Sequence, residues 1–322
     1  DEVRTGGYED AIVGNPSLFQ GKNVLDVGCG TGVLSLFSAK AGAKKTVGVD
    51  SSSMIFHAKD IAATNGYRDS VALLHGKMED LPLAAFQESF GTDEEKFLDV
   101  IVSEWMGYCL LFESMLPSVL YARDKYMKPD GTLFPNQARL YLEGFSEGDS
   151  VGPADRLQWW KSVHGFDLSA ITPMLIDEAT VEVVSPEQIS TDRCIIWDKD
   201  LNVVTDAELD FEVPFTIRMT RRAPLHGFVA AFDVDFTHGC ASPVSISTSA
   251  QTTPTHWKQT VFLIEPKQAP ADVLEAGDTV SGTYCMKRAT DNPRDYDIAI
   301  AWEVSGTVSA SGGQSYKISS SR

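Results

Sequence analysis

Eight residues, Trp105 to Phe112, separate two glutamates, Glu104 and Glu113, and all eight are apolar, aromatic or small. Carboxylates flanked in this way sit where water is scarce, and two of them in one dry pocket repel each other and resist ionising together. A cation with a planar fork of donors, such as a guanidinium, relieves that repulsion. On a helix, the offset between Glu104 and Glu113 would rotate them by about 900° onto opposite faces. If both serve one site, the segment must therefore be a bent loop. The other reading is two unrelated glutamates, one of which caps the next helix.

A second constellation lies upstream. Asp26-x-Gly28-x-Gly30-x-Gly32 follows the apolar run Val24–Val27 and precedes a helical stretch reaching about Ala41. Glycines there let backbone approach a ligand closely, and the helix N-terminus offers free N–H groups. Relative to the dinucleotide fingerprint, the third glycine comes one residue early. Asp50, at the end of the next apolar run, can take both hydroxyls of a ribose. The pattern calls for an adenosine-type ribose without a demand for a pyrophosphate. S-adenosylmethionine meets that description, and NAD is the second candidate.

The elements that must position these residues alternate. Strands are read at Val24–Val27, Thr46–Val49, Val71–Leu74 and Asp99–Ser103, and helices at Ser51 to Thr64 and Ser114 to Lys125. This βαβ rhythm predicts a doubly wound parallel sheet of Rossmann-like type. Ligands of such sheets bind beyond the carboxyl ends of the strands, so Gly28, Asp50, Glu79 and Glu104 should share one rim. Residues Gln87 to Lys96 read as a polar surface loop. Lys128–Gly131 reads as a turn and Phe134–Asn136 as a hinge, which puts the domain boundary after residue 135. Beyond it, Phe211–Thr220, Gly227–Thr237, Val244–Ser249, Thr260–Glu265, Thr279–Arg288 and Asp297–Val308 read as antiparallel strands of a β-barrel or sandwich. Pro153–Leu175, with Trp159, Trp160 and Phe166, reads as an inserted helical segment. A Ser/Gly-rich tail follows Ser309.

Composition narrows the partners. The 322 residues carry a net charge of −18, which repels nucleic acid and anionic membranes and attracts basic partners. Five scattered cysteines without metal-ligand spacing predict a reduced intracellular protein, cytoplasmic or also nuclear, with no metal site. No run is apolar enough to span a membrane. The chain begins at Asp1 rather than methionine, so it is expected to be a fragment of a longer one.

Taken in order along the chain, these residues resemble the type I protein arginine methyltransferases. Val24–Gly32 is similar to that family's first cofactor motif, Ser103–Tyr108 with Phe112–Leu116 to its double-glutamate loop, Thr255–Gln259 to its substrate-side loop, and Asp1–Thr5 to the end of its cofactor-covering helix. The resemblance implies S-adenosylmethionine as cofactor, with Arg4 on its carboxylate, Asp26 near its amino group, Asp50 on the ribose, and Met78 and Glu79 at the adenine. It implies that Glu104 and Glu113 clamp a substrate guanidinium, that His256 with Asp1 shapes the site and passes on a proton, and that Met115 restricts the product to asymmetric dimethylarginine. Tyr108 and Trp257 are expected on the substrate side. The insertion around Trp159 and Trp160 resembles the arm through which the family forms homodimers, and basic Arg/Gly-rich segments of RNA-binding or ribosomal proteins are the implied substrates. The aromatic segment that precedes Asp1–Arg4 in the family is not in this sequence, and Gln87–Lys96 looks longer than usual. A cofactor-binding scaffold and a symmetric-type arginine methyltransferase are the competing readings.

Overall fold

The computed structural model describes residues 1–148 and 157–319. Its N-terminal half is built on a parallel sheet of β1 (Asn23–Val27), β2 (Lys45–Asp50), β3 (Val71–His75), β4 (Leu98–Val102) and β5 (Met127–Phe134), in the order β3-β2-β1-β4-β5. Every residue of β1 is buried, as a central strand covered by helices on both faces requires. The helices are α1 (Glu2–Val13), α2 (Val33–Lys40), α3 (Met54–Thr64), α4 (Leu83–Phe90) and α5 (Leu116–Tyr126). Reversal of strand order beside β1 places the switch point, and so the expected crevice, at the carboxyl ends of β1 and β4.

The C-terminal half consists of two antiparallel sheets around a shared core. One contains β6 (Gln137–Phe145), β7 (Thr180–Glu182), β8 (Cys194–Asp200), β10 (Gly227–Phe236), β11 (Val244–Ser247) and β12 (Gln259–Leu263). The other contains β9 (Phe211–Arg218), β13 (Thr279–Arg288), β14 (Tyr296–Ser305) and β15 (Ala310–Ile318). Single bridges, Thr191–Met219 and Glu178–Lys317, join the sheet edges at the two seams. The expected barrel is thus a two-sheet barrel without continuous ladders at its seams.

Four expectations need correction. Lys128–Gly131 is not a free turn but lies within β5, where the ladder to β4 shifts register between Leu98–Met127 and Val100–Thr132. Gln87–Phe90 is not loop but the end of α4, because Leu83, Phe86 and Phe90 form an apolar stripe and both phenylalanines are buried. The residues after Ser309 form β15, paired with β14 over nine positions. Its small residues lie against Trp302, where a Cβ on Gly312 would meet ring carbon Cζ2 at 2.5 Å, while Tyr316 and Ile318 enter the core. The insertion is only partly helical. Among its described residues it holds 3-10 turns at Trp159–Lys161 and Ser169–Ile171, a Val163–Phe166 bridge and a helix at Thr172–Asp177. Residues 153–156 of the expected arm lie outside the described residues.

Candidate active site

The double-glutamate segment leaves the end of β4 as a tight, bent loop. Cys109, Leu110, Glu113 and Ser114 all have positive φ, 50° to 73°, a conformation that costs non-glycine residues energy and persists where the surroundings impose it. Here they do. Gly107 donates its N–H to Leu110 O at 2.9 Å, and a Cβ at Gly107 would lie 1.9 Å from Phe112 O, so the turn closes only with glycine. Trp257, 2% exposed, donates its indole N–H to Met106 O at 3.0 Å, and Ser103 Oγ donates to Val27 O at 2.8 Å. The barrel thus grips one side of the loop and β1 the other.

Each glutamate meets an arginine of the chain itself. Arg4 Nη1 lies 3.2 Å from Glu104 Oε2, and Arg294 Nη2 lies 3.6 Å from Glu113 Oε2. The Glu104 side chain is 27% exposed and that of Glu113 57%. Burial pushes the Glu104 carboxyl up to about 7; Arg4 opposes that rise and the charge of Glu113 adds to it. Glu113 is thus near enough for its charge to reach Glu104. Asp1 caps α1 by accepting from Val3 N and Arg4 N. Its other oxygen lies 2.9 Å from His256 Nδ1, and His256 Nε2 faces Arg4 Nη1 at 3.5 Å. This is the hydrogen bond of a neutral ring: partial burial and the charge of Arg4 push the imidazole down.

A cavity of about 430 Å³ opens at the carboxyl ends of β1 and β2. Gly28, Asp50, Met78, Glu79, Glu113, Met115 and Arg294 are among the residues that line it. Gly28, Gly30 and Gly32 have φ of 74°, 51° and 83°. A Cβ on Gly28 would stand 2.2 Å from Met115 Cε, so the glycine keeps the crevice open beneath that methionine. Asp50 accepts from Gly30 N at 2.8 Å and Ser52 N at 2.7 Å, which orders the glycine loop. Glu79, at the opposite end, accepts from Ser118 Oγ. Asp26 is fully buried; Ser35 Oγ donates to one of its oxygens at 2.7 Å and the other has no partner among the described residues. Burial raises this carboxyl to about 7. A buried oxygen without a donor is costly unless a ligand or water satisfies it. A glycine cradle, a carboxylate at the ribose position and this orphaned acceptor fit S-adenosylmethionine.

Of the expected site residues, Gly28, Asp50, Met78, Glu79, Glu113 and Met115 line this cavity, while Asp1, Arg4 and His256 are linked by contacts to Glu104. Arg4 reaches Glu104, where a cofactor carboxylate was expected as its partner. Tyr108 stacks on Phe112 and, with Glu113, Glu178 and Lys258, lines an adjoining cavity of about 430 Å³. Trp257, expected on the substrate side, is buried: its ring packs on Phe232 and His256 and braces the loop. Arg294 carries no sequence signal of its own. The Asn292-Pro293 pair before it was a turn signal, but nothing local showed where that turn would land.

Comparisons with known proteins agree with this geometry. Residues 136–307 match the family model of the arginine methyltransferase oligomerization subdomain, and residues 24–131 match that of a methyltransferase domain. The chain is 43% identical over 302 residues to protein arginine N-methyltransferase 1 of Schizosaccharomyces pombe, which spans 94% of this chain and 84% of that protein. It is 41% identical over 308 residues to the protein of the same name from Chlamydomonas reinhardtii, over 95% of this chain and 84% of that one. Among solved structures it resembles the Trypanosoma brucei PRMT1 enzyme-prozyme heterotetrameric complex with AdoHcy, with a TM-score of 0.87, 34% identity and coverage of 99% and 96%. Arabidopsis thaliana protein arginine methyltransferase 10 superposes with a TM-score of 0.84 at 30% identity, over 99% of this chain and 95% of that one.

Proposed function

The chain belongs to the protein arginine N-methyltransferase family, and from that premise we infer that it methylates guanidinium nitrogens of protein arginines, giving monomethylarginine and asymmetric dimethylarginine. The carrying observation is that Glu113 of the double-glutamate loop lines the same cavity as the glycine loop and Asp50. When bound, S-adenosylmethionine supplies a sulfonium-activated methyl group. Asp50 would hold its ribose, Met78 and Glu79 its adenine, Arg4 its carboxylate, and the glycine loop its close approach.

The chain's own task is to present a guanidinium, whose delocalised charge makes it a poor nucleophile. Glu104 and Glu113 accept N–H bonds from two edges of the substrate guanidinium. They draw positive charge away from the third nitrogen, the one aimed at the methyl. Orientation of this kind contributes several kcal/mol of rate acceleration. The nitrogen that gains a methyl must then lose a proton. Glu104, which touches the substrate guanidinium in this reading, is the carboxylate placed to accept that proton. His256 and Asp1 instead tie α1 to the barrel. Met115 lines the cavity against Gly28 and beside Glu113, a position from which it would limit room for substrate and favour the asymmetric product.

A pH dependence follows. The protonated form of Glu104 cannot serve as an anionic clamp, so kcat/KM on an arginine peptide is expected to rise tenfold per pH unit below about 7 and to level off above it. Initial rates across this range test it; a flat profile through neutrality would remove Glu104 from the binding step.

The match to the oligomerization subdomain makes self-association part of this fold. A homodimer is our finer reading. Trp159, Phe166, Leu168 and Met174 of the insertion are exposed, and Val33, Met54 and Phe56 expose a second apolar set on the cofactor domain. The acidic chain would steer basic Arg/Gly-rich segments of RNA-binding or ribosomal proteins, and its free cysteines suit the cytoplasm or nucleus.

The test is mass spectrometry of a glycine-arginine-rich peptide incubated with the protein and S-adenosylmethionine. Sequential gain of two methyl groups on one terminal nitrogen is expected. Symmetric placement would overturn the role given to Met115, and cofactor binding without methylation would favour a scaffold.

A further inference from the structure

We propose that Arg294 is a positioning residue for the clamp: a barrel-borne guanidinium that holds one oxygen of Glu113 and leaves the other for the substrate. Three observations carry this, and it rests on the arginine methyltransferase reading above.

The first is symmetry of use. Arg4 donates to Oε2 of Glu104 at 3.2 Å and Arg294 forms a looser ion pair with Oε2 of Glu113 at 3.6 Å, while neither Oε1 has a hydrogen-bond partner among the described residues. A carboxylate has two oxygens and about four lone-pair sites, so an internal arginine on one oxygen and a substrate guanidinium on the other are compatible. One internal arginine comes from the cofactor domain and the other from the barrel.

The second is the backbone. Glu113 adopts φ 73° and its N–H donates to Arg294 O at 2.9 Å. One residue therefore anchors the backbone of Glu113 through its main chain and faces the Glu113 carboxylate with its side chain. Arg294 is itself set by a short turn between β13 and β14: its N–H donates to Asn292 Oδ1 at 3.2 Å, and Asp295 N–H donates to Asn292 O at 2.9 Å.

The third is place. Arg294 lines the same cavity as Gly28, Asp50 and Met115, so it borders the expected cofactor site as well as the clamp. The Glu113 side chain is 57% exposed and has no dense packing to select its rotamer. A salt bridge this exposed adds little to stability; its use is orientation.

The experiment compares wild type, Arg294→Ala, Arg294→Lys, Glu113→Gln and the Arg294→Ala/Glu113→Gln double variant on an arginine peptide, with kcat and KM measured separately. Arg294→Ala is expected to lower kcat about tenfold with the melting temperature unchanged, since small misplacement of a clamp group costs rate at that scale. Arg294→Lys should recover most of the loss. The double variant should be no slower than Glu113→Gln alone, because a residue acting only through Glu113 has nothing left to position. Binding of the same peptide to the S-adenosylhomocysteine complex gives a readout without turnover and should weaken severalfold in Arg294→Ala. A kcat within twofold of wild type for Arg294→Ala, or additive losses in the double variant, would overturn the assignment. Failure of the wild type itself to bind or methylate the peptide would overturn the functional reading and this proposal with it.

Discussion

Glu104→Gln is expected to reduce turnover on an arginine peptide by about a thousandfold, roughly 4 kcal/mol of transition-state stabilisation. The substitution keeps shape and one acceptor but removes the charge, and three effects converge on that loss. The substituted amide offers no negative charge to localise the guanidinium cation. It introduces an NH2 donor facing donors. It also cannot take the proton released after methyl transfer. At 27% side-chain exposure, water screens little of this. Cofactor affinity should stay within about threefold, because Arg4 loses a competing partner rather than a necessary one. Glu113→Gln is expected to cost less, about a hundredfold, since its carboxylate is the more exposed and its interactions are more screened. Steady-state kinetics with calorimetric titration of the cofactor separate the two effects. Near-normal turnover by Glu104→Gln would end the clamp mechanism.

Asp50→Ala should produce the reverse pattern: S-adenosylmethionine binds about a hundredfold more weakly, close to 2.7 kcal/mol, with kcat at saturating cofactor little changed. Two roles are lost together. Hydrogen bonds from ribose hydroxyls to a carboxylate contribute about 1.5–3 kcal/mol each. The carboxylate also organises the glycine loop through Gly30 N and Ser52 N. Asp50→Asn would keep an acceptor without the charge and should fall between. Titration calorimetry on the free protein decides this. An unchanged Kd in Asp50→Ala would move the ribose elsewhere in the cavity, and a loss confined to kcat would make Asp50 part of the chemistry instead.

The residues bearing on these two predictions were legible to different depths. Asp50 and the glycines were readable because a strand end, a tight turn and a helix start lie within a few residues of one another, and their local conformations fix the rim. The pairing of Glu104 with Glu113 was readable as a conditional: opposite faces on a helix, one site only in a bent loop. The loop is what forms, with Gly107 as its obligatory close contact. The helical portion of Gln87–Lys96 was missed because its apolar stripe begins upstream at Leu83, and β15 was missed because its small residues look like a linker until Trp302 covers them.

What the sequence determined by itself is therefore what short-range physics encodes: the parallel sheet from its apolar runs, the cofactor rim from glycines and a strand-end aspartate, and the reach of a guanidinium clamp from two carboxylates in an apolar stretch. Tertiary structure alone decided which charges meet them. Arg4 and Arg294 come from opposite ends of the chain to the two glutamates, Trp257 turns inward to brace the loop, and His256 settles as a neutral ring beside Asp1. Burial and ion pairing depend on distances through space, which are fixed only when the two domains close on each other. The same residue types, spaced identically along the chain, could have been surface groups without any pairing at all.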